Sequence, residues 1–558
     1  MPHPRWLLAV ALFLVACASP AATTPDAGAD AATCVGTCGA AGTFHDQTIV
    51  VAGETRHYFL HVPGVAIGTA APLLVDYHGT GFVDQRPEEE WGLDELIAAS
   101  DALGFIVVRP RSHAYVAGGQ TYYQWDLSPA DLASTLELTT ELVASLGMQY
   151  ALDPGRIYAA GFSNGTNMAL QTLALAPPLF HGIGIVGGGI YEPFTIPAWP
   201  APAPRIYATS GYRDLNYEFQ RDMQGWLAAN HYPADRLWIR ESKALHELRG
   251  WHYREMFGWL DRGARPVDGT LAPGWTTEPF TGATTNLVAT TRTADGRVIA
   301  TGHDGSIWQR GASGWTAARA ATATPVLIAA CMAGATGYAT GEAQGFTTAD
   351  GGATWQPAPA IPLAGNSDFA TTQLFGVGCG PNGERVGGGS VVAAHSADGG
   401  QTWTTTDPPA LIFTVRRGAS GAWLAIGPGY LGRSLDGVSF TAVAIDPNLE
   451  LYDVAEAGPG TWWTVGVDGA MLRSTDDGAS WQAQPAAVPE SLYAVKFASA
   501  LVGAAVGPHG TAIVTLDGGA TWMARPAGVD RMLADLEWLD ATHAIVVGEH
   551  GLVLGLAP

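Results

Sequence analysis

The sequence predicts an α/β hydrolase domain, with a mostly parallel sheet and helices on both faces, followed by an all-β propeller. Two observations predict this fold class. From about Gly42 to Arg262, short apolar runs alternate with amphipathic segments, as in a parallel sheet covered by helices. From about Pro266 onward helical periodicity is lost, and a glycine-rich unit recurs roughly every 40 residues, the length of one propeller blade.

Length and composition agree with two large domains. The chain has 558 residues, of which 47% are hydrophobic and 14% are charged, enough apolar material for more than one core. Its net charge of −23 and the lack of a basic stripe argue against a nucleic-acid partner. We expect four segments: a lipoprotein-type signal peptide (1–17), a disordered tether (18–41), the hydrolase domain (42–265) and the propeller (266–558).

The amino terminus has the pattern of a processing segment. Trp6 to Ala16 is apolar but too short to span a membrane comfortably, and the stretch LVAC ending at Cys17 resembles a bacterial lipobox. That resemblance implies lipidation of Cys17 and membrane attachment through this anchor alone. The alternative is an ordinary secretory signal cut near Ala18 or Ala22. Both predict export, to the outer membrane or cell surface or into the medium.

A nucleophile elbow is predicted at Gly161-Phe162-Ser163-Asn164-Gly165. This G-x-S-x-G lies between a β-rich segment, Arg156 to Ala160, and a helix-forming run, Thr166 to Ala176, as in α/β-hydrolases. The tight turn strains the backbone at the serine, and the two glycines relieve the resulting clash. Ser163 is therefore the candidate nucleophile.

The acid and the base are expected to follow the serine in the order Asp, His. Asp214 comes just after the predicted strand Arg205 to Ser210 and is the candidate acid. The base should follow the last strand, Arg236 to Glu241, where His246 and His252 both qualify. His252 immediately precedes an amphipathic run that looks like the final helix, so it is preferred, with His246 as the alternative base.

The oxyanion donors are expected on two loops. The buried strand LLVDY ends in His78-Gly79-Thr80-Gly81, which matches the HG-type loop of esterases. The backbone amides of Thr80 and Asn164 would form the oxyanion hole. The ring of His78 is interpreted as shaping this loop without transferring a proton. This chemistry requires no cofactor and no metal, and none is expected.

The segments RHYFLHVP, LLVDYHG, Gln124-Trp125-Asp126 and LDPGRIYAAGFSNGTNMA resemble the secreted polyhydroxybutyrate-depolymerase and feruloyl-esterase family. The resemblance covers about Arg56 to Leu260. It implies a serine carboxylic-ester hydrolase that acts through an acyl-enzyme on an ester substrate, with polymeric esters among the candidates. The chain departs from the family where the usual G-H-x-W-P is replaced by the segment around His252. Trp125 and Asp126 match a family position, for which packing is the expected role.

The repeating unit of the carboxyl-terminal half ends in the octet S/T-x-D-x-G-x-S/T-W. Full copies lie at Thr348 to Trp355, Ser396 to Trp403, Ser474 to Trp481 and Thr515 to Trp522. The octets resemble the Asp-box, or BNR repeat, of sialidases, in which the aspartate bonds turn amides and the tryptophan packs between sheets. Seven turns and seven aromatic ends predict seven blades, closed by pairing of the segment at Trp275 with the last strand.

The cysteines leave alternatives open. Cys34 and Cys38 would close a small loop in an oxidising compartment, and no further Cys or His pair suggests a metal site. Cys331 and Cys379 occupy similar places in successive repeats, so either a disulfide between blades or two buried thiols is expected.

A second functional hypothesis is a binding or adhesion protein led by the propeller, whose ligand the sequence does not identify, with an inactive hydrolase domain. A prolyl-oligopeptidase-like arrangement is disfavoured because there the propeller precedes most of the hydrolase. Sialidase chemistry is disfavoured because the R-I-P stretch before the first Asp-box is missing.

Overall fold

A computed structural model describes residues 39–558, apart from 83–85, 91, 118, 176–178, 192–193, 195–198, 215, 283–284, 323–325, 342–343 and 363–373. The predicted signal segment, most of the predicted tether, and Cys17, Cys34 and Cys38 lie outside the described residues. The chain divides into two compact units between Pro266 and Val267. Within the described ranges, no helix combines the length and apolar character needed to cross a bilayer.

The described residues of the first unit form an eight-stranded mixed sheet, a three-stranded sheet and five α-helices. The strands are β1 (Gly42–Val51), β2 (Glu54–Val62), β3 (Ala71–Tyr77), β4 (Gly81–Phe82), β5 (Ile106–Pro110), β6 (Ala114–Ala117), β7 (Gln120–Tyr123), β8 (Leu152–Phe162), β9 (Gly182–Val186), β10 (Arg205–Gly211) and β11 (Leu237–Ser242). The helices are α1 (Leu93–Leu103), α2 (Pro129–Gln149), α3 (Asn164–Leu175), α4 (Tyr217–Ala229) and α5 (Gly250–Arg262).

The large sheet has the order β1-β2-β5-β3-β8-β9-β10-β11. The pairs β1–β2 and β2–β5 are antiparallel, and the other six strands of the sheet, β5, β3, β8, β9, β10 and β11, run parallel to one another. Every residue of β3, β5 and β9 is buried, which is why these strands are mainly apolar. The charged residues Asp76 of β3 and Arg109 of β5 form a buried ion pair. The strands leave their carboxyl ends on one edge, where the candidate site residues follow β3, β8, β10 and β11.

Two apolar cores cover the two faces of this sheet. Helices α2, α3 and α4 contribute Leu142, Met168 and Met223 to one core, and α1 and α5 contribute Leu96 and Phe257 to the other. Helix α2 begins where the sequence indicates, because the Ser128 hydroxyl accepts from the Asp131 N–H and Pro129 follows at the first helical position. The predicted α/β hydrolase fold is confirmed for this unit.

The second unit is a seven-bladed propeller of four-stranded antiparallel sheets. The innermost strands are Leu287–Arg292, Leu327–Ala333, Leu374–Cys379, Thr414–Arg417, Leu451–Gly458, Ala494–Phe497 and Leu533–Asp540. The second strands are Val298–Gly302, Thr336–Gly341, Arg385–Gly389, Trp423–Gly427, Thr461–Gly466, Gly503–Val506 and His543–Gly548. The third strands are Ile307–Gly311, Phe346–Thr348, Ala393–Ser396, Tyr430–Ser434, Met471–Ser474, Ala512–Thr515 and Val553–Leu556. The outer strands are Gly314–Arg319, Gln356–Pro357, Thr404–Thr406, Thr441–Ala442, Gln482–Gln484, Met523–Ala524 and Trp275–Thr277.

The ring closes by shared strands, as the sequence predicts. The outer strand Trp275–Thr277 pairs with Val553–Leu556, so the first and last segments of the unit build one blade. This pairing completes the circle of seven sheets, in which each blade keeps only a short outer strand as an edge. A disulfide joins Cys331 and Cys379 on the innermost strands of neighbouring blades.

Candidate active site

The elbow places Ser163 between the end of β8 and the start of α3. Its φ of 54° lies in the left-handed region that non-glycine residues rarely adopt. A methyl group at Gly161 would lie 2.1 Å from the carbonyl oxygen of Gly165, and one at Gly165 would lie 2.0 Å from the carbonyl oxygen of Tyr77. Only glycine fits at both positions. Gly161 and Gly165 therefore allow the tight turn that presents a half-buried serine at the end of β8.

Asp214 and His246 are hydrogen-bonded to each other at the same edge of the sheet. The Asp214 Oδ2 accepts from His246 Nδ1 at 2.8 Å, and the Asp214 side chain is 1% exposed. The second carboxylate oxygen accepts the backbone N–H of Asn216 at 2.8 Å, which fixes the orientation of the group. Because the carboxylate can only accept, the neutral ring carries its proton on Nδ1 and leaves Nε2 as the basic nitrogen.

The ring of His246 lies next to the elbow. It stacks on Phe162, the residue before the serine, with centroids 4.6 Å apart. It also passes close to Gly187, where an added methyl would come within 3.1 Å of ring atoms. Phe162 and Gly187 therefore hold the imidazole at the carboxyl ends of β8 and β9, a role that sequence reasoning did not assign to either residue.

His252 occupies a different environment. It lies in the first turn of α5, is 2% exposed, and its Nδ1 accepts the backbone N–H of Arg249 at 2.9 Å. In the neutral ring that bond leaves the proton on Nε2. The unprotonated nitrogen, Nδ1, is therefore already engaged in capping the helix. On this geometry His246, the alternative in the sequence analysis, replaces His252 as the candidate base.

The loop after β3 passes directly over the elbow. A methyl built on Gly79 would lie 3.3 Å from Cβ of Ser163, so the loop backbone approaches the serine closely. Thr80 and Asn164 are both half-buried, one on this loop and one at the first position of α3. The two segments that were expected to supply oxyanion amides are thus next to each other.

The fully buried ring of His78 is held inside this loop. Its Nε2 accepts the backbone N–H of Ser112 at 3.1 Å, so Nδ1 bears the proton and donates to the carbonyl oxygen of Gly79 at 2.5 Å. Burial lowers the pKa of His78 to about 3, so the ring stays neutral at physiological pH. These contacts are those of a group that shapes the loop.

Comparison with known proteins finds an esterase and a depolymerase that are similar to parts of this chain. The chain is 33% identical over 169 residues to NocK of Nocardia uniformis subsp. tsuyamanensis, which is named as an esterase; the match covers 29% of this chain and 46% of NocK. It is 30% identical over 93 residues to the poly(3-hydroxybutyrate) depolymerase of Ralstonia pickettii, covering 16% of this chain and 19% of that protein. The chain thus spans less than half the length of these curated relatives.

Among solved structures, YCF48 bound to D1 peptide is 15% identical with a TM-score of 0.43, covering 52% of this chain and 99% of that one. YCF48 from Cyanidioschyzon merolae is also 15% identical, with a TM-score of 0.42 and coverage of 51% and 99%. No family model matches the chain. The curated relatives support an esterase-like hydrolase domain, and the sheet topology of the second unit shows the propeller.

Proposed function

We propose that the chain is an exported serine carboxylic-ester hydrolase that acts through Ser163, His246 and Asp214. The observation that carries the proposal is the hydrogen bond between Asp214 and His246, formed beside an elbow that presents a half-buried serine. A carboxylate, an imidazole and a hydroxyl in this arrangement are the parts that acyl transfer requires. The substrate is a carboxylic ester, with polymeric esters among the candidates.

Each step follows from the assigned groups. Oγ of Ser163 attacks the ester carbonyl carbon while Nε2 of His246 takes its proton, and Asp214 stabilises the resulting imidazolium. The carbon–oxygen bond to the alcohol then breaks, and the leaving alcohol takes the proton from Nε2. The acyl-enzyme is hydrolysed by a water molecule that transfers a proton to the same nitrogen, and collapse of the second tetrahedral intermediate returns that proton to Ser163 and releases the acid.

The amides of Thr80 and Asn164 would bind the negative oxygen of both tetrahedral intermediates. The amide of Asn164 opens α3, where the helix dipole also favours negative charge. Donors of this kind are each worth roughly a hundredfold or more in rate, because they are in place before charge develops.

The propeller is proposed to be an Asp-box propeller that binds or positions substrate. In the turn after Ser474, the Asp476 Oδ1 accepts the backbone N–H of Ser480 at 2.9 Å, and Trp481 Nε1 donates to the Gly478 carbonyl at 3.1 Å. Equivalent bonds recur in the turns at Thr348 and Ser396. Recurrence of these bonds supports the Asp-box interpretation.

Export is proposed from the signal-like segment that ends at Cys17, with Cys17 as the lipid-bearing residue. The disulfide between Cys331 and Cys379 supports an oxidising compartment, since disulfides persist mainly in exported proteins.

Hydrolysis of short-chain p-nitrophenyl esters tests the enzymatic proposal. Wild-type protein should release nitrophenol, and Ser163→Ala should lower kcat at least about ten-thousandfold while it stays folded. Turnover that survives in Ser163→Ala would contradict the proposal. A folded wild-type protein without turnover on any ester would favour the propeller-led binding hypothesis instead.

A further inference from the structure

Trp125 connects the two segments that carry the proposed oxyanion amides. Its indole N–H donates to the carbonyl oxygen of His78 at 2.9 Å, on the loop after β3. Its backbone N–H donates to Oδ1 of Asn164 at 2.6 Å, and its backbone carbonyl accepts from Nδ2 of Asn164 at 3.3 Å. Side chain and backbone of one residue therefore bind opposite sides of the oxyanion hole.

Packing fixes the direction of the indole N–H. The ring is 3% exposed, lies edge-on to Tyr77 at a centroid distance of 5.1 Å, and lies 4.9 Å from the ring of His78. A buried indole held from two sides has one orientation available. Its hydrogen bond to the loop is therefore a fixed geometric constraint.

Because a peptide bond is planar, the constraint on the loop also determines the direction of the Thr80 N–H. The carbonyl of Gly79 and the N–H of Thr80 belong to one planar peptide and point in opposite directions. The His78 ring holds the Gly79 carbonyl, while Trp125 holds the preceding peptide through the His78 carbonyl. Together the two bonds fix consecutive peptide planes, and so set the direction of the Thr80 N–H.

We propose that Trp125 is a positioning residue that sets the relative placement of the Thr80 and Asn164 amides. The proposal rests on the serine-esterase function. It predicts that loss of the indole N–H weakens binding of the transition state and leaves binding of the ester almost unchanged, because the ground-state carbonyl makes little use of the oxyanion donors.

A merely structural role for Trp125 makes a different prediction. Any buried indole N–H needs an acceptor, and losing one hydrogen bond costs stability wherever it lies. Trp259 is a matched control: it is 5% exposed in the same unit, and its Nε1 donates to the carbonyl oxygen of Ile206 at 2.9 Å, at the amino end of β10. Trp259→Phe also removes a buried indole N–H, but at the end of the sheet opposite the candidate site.

Steady-state kinetics of the full chain with a p-nitrophenyl ester separate the two roles. We expect Trp125→Phe to lower kcat about tenfold with KM within about twofold of wild type, since small misplacements of catalytic groups have effects of this order or larger. Trp125→Phe and Trp259→Phe should lower the melting temperature by similar amounts. Trp259→Phe, however, should leave kcat within about twofold of wild type. Affinity for an aryl boronic acid, which mimics the tetrahedral intermediate, should fall only in Trp125→Phe.

Asn164→Ala provides a second variant, because it keeps the backbone amide and removes the clamp on Trp125. It should lower kcat with KM preserved, and the double variant with Trp125→Phe should lose less than the product of the single losses. Unchanged kcat in Trp125→Phe, or equal kcat losses in Trp125→Phe and Trp259→Phe, would overturn the positioning role while the esterase stands. Failure of the serine-esterase proposal itself would be recognised separately, because wild-type ester hydrolysis would then not depend on Ser163.

Discussion

The carboxylate of Asp214 accepts a hydrogen bond from Nδ1 of His246 at 2.8 Å, at the edge of the sheet where the elbow presents its serine. The acid is 1% exposed and the imidazole 31% exposed, so one partner is protected from water while the other faces the site. This pairing distinguishes the environment of His246 from that of His252.

Substituting each histidine tests the assignment of the base. His246→Ala should lower kcat at least about a thousandfold, because Ser163 loses its proton acceptor. His252→Ala should keep kcat within a few-fold, and should lower the free energy of unfolding by about 1 kcal/mol through loss of the α5 cap. Ester turnover and urea unfolding measure both effects. The reverse ranking of the two turnover numbers would return the role to His252.

Gly165→Ala tests the steric basis of the elbow. The added methyl would lie 2.0 Å from the Tyr77 carbonyl, so backbone must shift, and we expect a loss of about 3 kcal/mol or more in unfolding free energy. Gly225 is the matched control, since it is exposed within α4 and a methyl there meets nothing within 4 Å. Gly225→Ala should stabilise the unit by up to about 1 kcal/mol through helix propensity. Equal effects at both glycines, measured in denaturant, would argue against the steric account.

Acid should weaken the propeller through its turn aspartates. The Ser480 hydroxyl and backbone amide lower the pKa of Asp476 from 3.8 to about 2. A carboxyl group with a lowered folded-state pKa stabilises the fold above its unfolded pKa, and this stabilisation is lost as pH falls toward 2. Asp350, Asp398, Asp436 and Asp517 have similarly lowered pKa values.

Calorimetric unfolding at several pH values measures this contribution. Asp476→Asn should be less stable than wild type at pH 5, and the difference should shrink between about pH 4 and pH 2, where wild type loses its charge. A stability difference that stays constant across that window would show that ionisation of Asp476 does not stabilise the turn.

Removing the inter-blade disulfide should destabilise the propeller. Cys331 and Cys379 are 48 residues apart in sequence, and closing a loop of that size typically contributes about 2–4 kcal/mol. The double variant Cys331→Ser and Cys379→Ser should lose this amount in denaturant unfolding, and a reductant should reproduce the loss in wild type. Full alkylation of both thiols in native, unreduced protein would contradict the bond.

Local sequence patterns predicted the features that depend on neighbouring residues. The elbow follows from glycines two positions either side of Ser163, and each blade turn follows from an octet in which Asp476 and Trp481 bond residues within the same turn. Ring closure through Trp275 was also predictable, because a blade fragment begins the unit and another ends it.

The candidate base was not predictable in the same way because the residues it contacts are distant in sequence. His246 is 32 residues from Asp214 and lies between β11 and α5, where no spacing rule fixes the side-chain direction. His252 was preferred for its position before an amphipathic helix, but it is part of that helix, since α5 begins at Gly250. Phe162, which stacks on the candidate base His246, carried no signal beyond its place in the elbow.

Covalent labelling with a fluorophosphonate tests most directly whether His246 activates Ser163, because the reagent reacts with serines whose hydroxyl is activated by a neighbouring base. Intact full-length wild type and His252→Ala should form the adduct, and peptide mapping should place it on Ser163, while His246→Ala and Ser163→Ala should remain unlabelled. Labelling of His246→Ala at the wild-type rate, or an adduct at another residue, would contradict the account.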